Sequence, residues 1–312
     1  MRILVLGAGA IGGYFGGRLA EAGADVTFLV RERRAAQLER DGLVVKSPHG
    51  DIRRKVQIVR EGAVKPEYDL VVLACKAYDL DAAIESARPA MGPATFVLPL
   101  LNGLAHLERL DAGLGAGRVL GGTCYLAGTL TPEGEILQLS PLHRIAFGKR
   151  PGNEPKAAVA LMKLAAAFTK TQVDSQLASD ILLEMWEKYV LLATLAAMTC
   201  LMRGAVGDIM ATDEGESLME ACLATCEDTA KASGHEPRPD RLAQARKMLT
   251  ERGSTFTASM LRDVEAGLRT EADHIVGDML KRAGAAKVPC GILRAAYCHL
   301  QAYEARRQRE KK

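Results

Sequence analysis

Met1-Arg2-Ile3-Leu4-Val5-Leu6-Gly7-Ala8-Gly9-Ala10-Ile11-Gly12-Gly13 is an apolar run that ends abruptly in glycines. Ile3 to Leu6 reads as a short buried strand, because an aliphatic, β-branched run bounded by glycine suits a parallel strand covered on both faces. Gly7, Gly9 and Gly12 carry the G-x-G-x-x-G spacing: the first permits a tight turn, the second lets backbone approach a pyrophosphate, and the third allows a helix to pack closely on the strand. Tyr14 to Ala22 is the expected helix, its N-terminus offering unpaired N–H groups and a partial positive charge to phosphates. Val26 to Val30 then completes a βαβ unit, the context that separates a dinucleotide site from a glycine-rich structural turn in some other α/β protein.

A chain of 312 residues is long enough for two domains. Its 48% hydrophobic and 25% charged residues describe an ordinary globular protein, and a net charge of +3 gives no argument for nucleic acid or membrane as partner. No apolar run reaches the roughly 18 residues of a spanning helix. The first strand begins directly after Met1 with no cleavage pattern, so a cytoplasmic protein is expected. The 7 cysteines include no C-x-x-C. Cys222 and Cys226, four apart on a helix and without nearby histidines, read as packing residues; reduced thiols and no metal are expected. The basic tail Arg306 to Lys312 reads as a solvated helix end.

Along the chain, Arg31, Glu32, Arg33 and Arg34 stand where a bound dinucleotide's ribose would lie. An acid there would accept from a 2′-hydroxyl; a basic residue, Arg31 before Arg33 and Arg34, suits the 2′-phosphate of NADP(H), although charge clusters at helix starts are common on surfaces. Leu43 to Lys46 and Ile52 to Val59 suggest a hairpin-like or short-strand insertion around Pro48-His49-Gly50. Asp69 to Cys75 is a third strand of the sheet, with Lys76 at its carboxyl end, and Thr95 to Leu100 a fourth, with Asn102-Gly103 after it. Ligands sit outside the carboxyl ends of parallel strands, which marks Lys76 and Asn102 as candidates; a loop lysine in water and a simple Asn-Gly turn are the competing readings. Arg118 to Leu126, Gly134 to Leu139 and His143 to Gly148 read as an antiparallel extension at the sheet edge, with His143 a surface residue. An amphipathic helix over Glu154 to Phe168 and a strand over Thr171 to Val173 close a first domain at about residue 174.

From Ser175 the pattern turns helical: Asp180 to Met202, Glu214 to Ser233, Asp240 to Glu251, and Asp273 to Glu304 with a break at Gly284 to Pro289. The fold class is therefore α/β: a doubly wound sheet over residues 1–174, followed by an all-helical domain over 175–312. Lys188 lies two residues after the only tryptophan, Trp186, and just before the apolar run Leu191 to Leu201. Partial burial brings a lysine towards proton transfer near neutrality, which ketone reduction requires, while a lysine snorkelling from a helix edge is the structural alternative.

Taken together, Gly7 to Gly13, Arg31, Cys75-Lys76-Ala77-Tyr78-Asp79, Leu101-Asn102-Gly103-Leu104, Trp186-Glu187-Lys188, Ser259 to Asp263 and Arg269-Thr270-Glu271 resemble the ketopantoate reductase (2-dehydropantoate 2-reductase) family along nearly the whole chain. The resemblance implies an N-terminal NADPH-binding Rossmann domain and a helical C-terminal domain, with a small-molecule 2-oxo acid bound in the cleft between them. It implies that Gly7, Gly9, Ala10, Ile11, Gly12, Arg31, Lys76, Asn102 and Glu271 bind the cofactor. Lys188 would be the general acid, with Asn102 and Glu271 completing the catalytic set, and Lys76, Asn102, Lys188 and Ser259 would meet the substrate. Glu271, by its residues alone, is only an acid at a helix start.

Members acting on ketopantoate carry asparagines four and eight residues after the lysine; here those positions are Leu192 and Ala196. Leaving polar substrate groups unpaired costs about 1–3 kcal/mol each, so a less polar substrate is in view, with Thr194 and Thr199 as candidate replacement hydroxyls. A degenerate member that senses NADP(H) without turnover is the alternative to an enzyme, though a sensor has no need of Lys188. A reductase running in the oxidative direction is a third reading. Homodimerisation through the helical domain is also expected.

Overall fold

The computed structural model describes residues 1–310. In chain order the elements are β1 (Arg2–Leu6), α1 (Ala10–Glu21), β2 (Asp25–Leu29), α2 (Glu32–Asp41), β3 (Leu43–Lys46), β4 (Ile52–Arg54), β5 (Gln57–Val59), β6 (Leu70–Leu73), α3 (Leu80–Ala87), β7 (Phe96–Pro99) and α4 (His106–Leu110). There follow β8 (Gly121–Leu130), β9 (Glu135–Gly148), α5 (Ala157–Phe168), β10 (Asp174–Leu177), α6 (Ile181–Met202), α7 (Val206–Met210), α8 (Gly215–Ala232), α9 (Pro239–Leu249), α10 (Ser259–Glu265), α11 (Asp278–Ala285) and α12 (Gly291–Glu310). Two units emerge, one of residues Met1–Leu101 with His106–Ile181, the other of Asn102–Ala105 with Leu182–Lys312. Lys311 and Lys312, the end of the basic tail, lie outside the described residues.

The first unit contains a parallel sheet of order β5-β2-β1-β6-β7. Strand order reverses at β1, so the crevice at the carboxyl ends of β1 and β6 is the topological switch point where such sheets bind ligands. Ile3, Leu4 and Val5, and all of Leu70–Leu73, are buried, as fits strands covered on both faces. The expected edge extension is instead a second sheet, β10-β9-β3-β4, to which β8 adds by pairing with β9. β3 and β4 form the expected hairpin, whereas β5 leaves it to pair parallel to β2. The two stretches Gly134 to Leu139 and His143 to Gly148 are one continuous strand, β9, and the last strand falls at Asp174–Leu177 rather than Thr171 to Val173. Because β10 pairs with β9, the first unit runs to Ile181, past the expected boundary at residue 174.

Helix α1 packs between these two sheets, and its sequence shows why. It starts at Ala10, four residues before the expected Tyr14, so that Gly12, Gly13, Gly16 and Gly17 all lie within it. A Cβ on Gly16 would stand 2.8 Å from the Phe28 ring of β2 and 3.0 Å from Val5 of β1. On its other side, a Cβ on Gly13 would meet Ile136 of β9 and one on Gly17 would stand 2.8 Å from Leu43 of β3. Missing side chains on two faces let both sheets approach one helix backbone, and the core runs continuously through Val5, Phe15, Phe28, Leu43, Ile136 and Phe147.

His143, expected on the surface, is buried at 6% exposure because β9 carries it inward against α1. Its Nδ1 lies 2.7 Å from the Tyr14 hydroxyl, and its ring stacks on His49 at 3.6 Å. His49 donates from Nε2 to the Pro141 carbonyl, and the Arg18 guanidinium lies over the Tyr14 ring at 5.2 Å. Burial pushes the His143 imidazole below its ordinary value, with His49 and Arg18 acting in the same sense and Asp174 opposing.

In the second unit all described elements are helical. The expected helix from Asp273 is preceded by residue Ala272 and opens with a π-helical turn, Asp273–Gly277, that leads into α11; after a break at Val288-Pro289, α12 runs to Glu310. Two short helices, α7 and α10, have no counterpart in the sequence reading, since five to seven residues are too few to display a helical period. Cys222 and Cys226 are both fully buried on α8, and the hydrogen bond with the Cys226 thiol, together with burial, pushes Cys222 well up, which leaves it an inert packing residue.

Three outcomes are expected from these packings and from the buried His143. Gly16→Ala overpacks the α1–sheet contact and lowers the unfolding free energy in urea by about 1–3 kcal/mol. Gly284→Ala, where no protein atom lies within 4 Å of the added carbon, raises it by about 0.5–1 kcal/mol through helix propensity. His143 in the unfolded chain takes up a proton near pH 6.5, before the depressed native group does, so its stabilisation is complete above that value and is lost as pH falls through the native one. Urea titrations from pH 7 to pH 5 therefore show a steeper loss of stability in the wild type than in His143→Gln; equal slopes contradict this.

Candidate active site

The glycine loop between β1 and α1 is shaped for a phosphate. Gly7 has φ +95°, a left-handed conformation that favours glycine, and its N–H donates to the Leu29 carbonyl at 3.0 Å. Gly9 caps α1 without a side chain, and no protein atom lies within 4 Å of where its Cβ would stand. A Cβ on Gly12 would come within 2.2 Å of the Gly7 carbonyl oxygen, so this position admits only glycine. The first intrahelical bond runs from the Gly13 N–H to the Gly9 carbonyl at 2.8 Å, and the first turn holds no acid. The N–H groups of Ala10, Ile11 and Gly12 thus remain for an anion, and the residues present fit a dinucleotide pyrophosphate.

Lys76, half-buried, follows β6 at the same switch point and starts the short turn Ala77–Asp79. Arg31 caps α2 with its side chain 68% exposed, and its guanidinium is 4.0 Å from the Asp79 carboxylate. Arg31 and Lys76 are therefore brought to the same end of the sheet as the glycine loop. Arg33 is exposed, whereas Arg34 serves the backbone: Nε donates to the Ala8 carbonyl at 2.9 Å and Nη1 to the Gly134 carbonyl at 2.7 Å. Arg34 thereby holds the glycine loop itself, a role that depends on contacts distant in sequence and left no local signal.

In the helical unit, Lys188 Nζ donates to Asn102 Oδ1 at 3.1 Å, joining two residues 86 positions apart. Asn102 is fixed by Gly103, whose φ of +75° turns the chain and whose missing side chain leaves room for the His274 carbonyl, 3.1 Å from a would-be Cβ. Ser259 is the first residue of α10 and is half-buried. Glu271 is buried just before the π-helical turn, where its carbonyl accepts the N–H groups of His274 and Ile275. Leu192 is half-buried and Ala196 is 1% exposed, both on the turns of α6 that follow Lys188. Thr194 and Thr199 do not replace the absent asparagines: both are fully buried and donate to carbonyls of their own helix, Val190 at 2.9 Å and Leu195 at 2.6 Å.

The carboxylates of α6 escaped the sequence reading. Glu184 and Glu187, side chains 7% and 5% exposed, both accept from the Arg238 guanidinium, and the Arg238 backbone N–H donates to Glu187 at 2.9 Å. Two acids three apart in an otherwise apolar helix were a readable sign that a buried cation partner exists. Tyr189 also lies here, its hydroxyl donating to the Ile275 carbonyl at 2.7 Å and 3.1 Å from Asp278, with burial raising it far above its ordinary value.

An ammonium bonded to an amide oxygen on a mostly apolar helix can deliver a proton to an oxygen that gains charge, the chemistry of carbonyl reduction. Comparison with known proteins gives the same direction. The family described as "Ketopantoate reductase PanE/ApbA" matches residues 3–152, and its C-terminal counterpart matches residues 180–304. The chain is 34% identical over 98% of its length to a Bacillus subtilis (strain 168) protein named "Uncharacterized oxidoreductase YkpB", 99% of which is covered. It is 26% identical to the 2-dehydropantoate 2-reductase of Nostoc sp., with 97% of this chain and 95% of that one covered. Among solved structures, the 2-dehydropantoate 2-reductase of Geobacter metallireducens GS-15 superposes with a TM-score of 0.85 at 27% identity, covering 97% of this chain and 99% of that one. The chain belongs to the ketopantoate reductase family of oxidoreductases.

Proposed function

We propose that the protein catalyses NADPH-dependent reduction of a 2-oxo acid, 2-dehydropantoate or a related compound, to the 2-hydroxy acid, with Lys188 as general acid. The observation that carries this reading is the bond from Lys188 Nζ to Asn102 Oδ1 in a member of an oxidoreductase family. NADPH, when bound, supplies the hydride that reaches the carbonyl carbon. The first unit binds the dinucleotide: the N–H groups of Ala10, Ile11 and Gly12 receive the pyrophosphate, and exposed Arg31 receives the 2′-phosphate in place of the ribose acid of NAD-binding chains.

The helical unit supplies the groups that meet the substrate. Lys188 stabilises the charge that develops on the carbonyl oxygen and then delivers its proton there, leaving a neutral amine that regains a proton from solvent. Asn102 accepts from the ammonium and so fixes its direction. By family likeness Lys76 serves cofactor and substrate, Ser259 contacts the substrate, and Glu271 organises the cofactor ribose and the active site. Leu192 and Ala196 present no hydrogen-bond donor, which supports a 2-oxo acid whose side chain is less polar than that of ketopantoate.

Lys188→Met is expected to lower kcat by about 10²–10⁴-fold, the usual worth of a general acid, with NADPH binding by fluorescence unchanged; full turnover in that variant contradicts the assignment. Arg31→Ala is expected to raise the KM for NADPH by about 10-fold or more, the worth of one charge-assisted bond, while KM for NADH stays the same. An equal rise for both cofactors would remove Arg31 from the 2′-phosphate.

A further inference from the structure

Lys188 shares its helix with two buried acids. Glu184 precedes it by four residues, on the same face of α6, and Glu187 is its immediate neighbour. Ionised and uncompensated, both would bind the ammonium's proton more tightly and hinder its release. Neither is uncompensated. Arg238, at the start of α9, spends Nε, Nη2 and its backbone N–H on them: Nε donates to Glu187 at 2.7 Å, the backbone N–H to the same oxygen at 2.9 Å, and Nη2 to both carboxylates. Its guanidinium charge is held firmly in place, pushed above its ordinary value by the bonds to Glu187 and Glu184.

Other charged or titratable groups near this turn have partners of their own. Arg241 Nε is 4.0 Å from Glu187. On α11, Arg282 lies over the Trp186 ring at 5.5 Å and donates to Asp278 at 2.8 Å, so that pair balances itself. His235 stacks on the Trp186 ring at 5.7 Å. Only Arg238 touches both acids beside Lys188 among the ion pairs described.

We infer that Arg238 is a positioning residue for Lys188: by clamping Glu184 and Glu187 to the start of α9 it fixes the α6 turn that carries the lysine and offsets part of the negative charge beside it. The inference rests on the general-acid reading of Lys188. It makes the lysine's proton affinity depend on an arginine that does not touch it.

The test is a titration of the protein labelled with 13Cε-lysine, followed by NMR, with the Lys188 resonance assigned by its loss in Lys188→Met. Arg238→Gln is expected to raise the Lys188 pKa by about one unit, the order of effect of one nearby charge left uncompensated in a protein environment. Glu187→Gln is expected to lower it, and Arg238→Lys to restore the wild-type value in large part. Arg246→Gln, which breaks an exposed pair with Glu220, leaves it in place. A Lys188 pKa unmoved in both Arg238→Gln and Glu187→Gln overturns the inference; if Arg238→Gln does not fold, the Glu187→Gln and Arg238→Lys titrations decide alone. The readout needs no turnover, so full activity in Lys188→Met overturns the general-acid reading independently of the titration, and an unmoved titration overturns the clamp while that reading stands.

Discussion

The close approach of α1 to two sheets is the contact on which the first unit depends. A helix normally keeps a neighbour 8–10 Å from its axis through its side chains. Here Gly16 admits Phe28 and Val5 on one face while Gly13 and Gly17 admit Ile136 and Leu43 on another. The same glycine-rich run begins with the loop that leaves three N–H groups for an anion, so packing and ligand binding are written into overlapping residues. Gly12 belongs to both, since its missing Cβ leaves space for the Gly7 carbonyl and for Val5. A substitution in this run is felt at once as overpacking and as a misplaced anion site.

In the helical unit the corresponding constraint is charge. A long apolar helix, α6, carries Glu184, Glu187 and Lys188 within about one turn, and burying charges without partners costs several kcal/mol. Arg238 answers the two acids and Asn102 answers the lysine. Thr194 and Thr199 answer themselves by bonding back to their own helix. On so apolar a helix an ammonium interacts strongly with an oxygen that gains negative charge.

Much of this was legible in the residues. The apolar run and glycine spacing of the first stretch were enough for a βαβ unit, because period and turn chemistry act locally, and Lys76, Arg31 and Asn102 could be marked by standing at strand ends. Elements that depend on pairing partners were not legible. β9 continues through Ser140-Pro141-Leu142, which reads as a turn, because β8 pairs along both of its halves, and this is what buries His143. The second sheet looked like an edge extension because nothing local reports that a helix lies between two sheets. Arg34 looked like one arginine of a cluster until its bonds to Ala8 and Gly134 tied together segments a hundred residues apart.

The substrate is where family and chain part. On the proposed reading, Leu192 and Ala196, where ketopantoate-reducing members carry asparagines, offer no hydrogen bond to a polar side chain, and a site lacking donors discriminates against one while keeping the 2-oxo acid core. The most direct measurement is a panel of 2-oxo acids, ketopantoate, 3-methyl-2-oxobutanoate and phenylglyoxylate, assayed in parallel with NADPH and NADH by loss of nicotinamide absorbance. The account predicts turnover with NADPH well above NADH, and a higher kcat/KM for the apolar acids than for ketopantoate. Absence of turnover on every 2-oxo acid with either cofactor, despite tight NADPH binding, would contradict it.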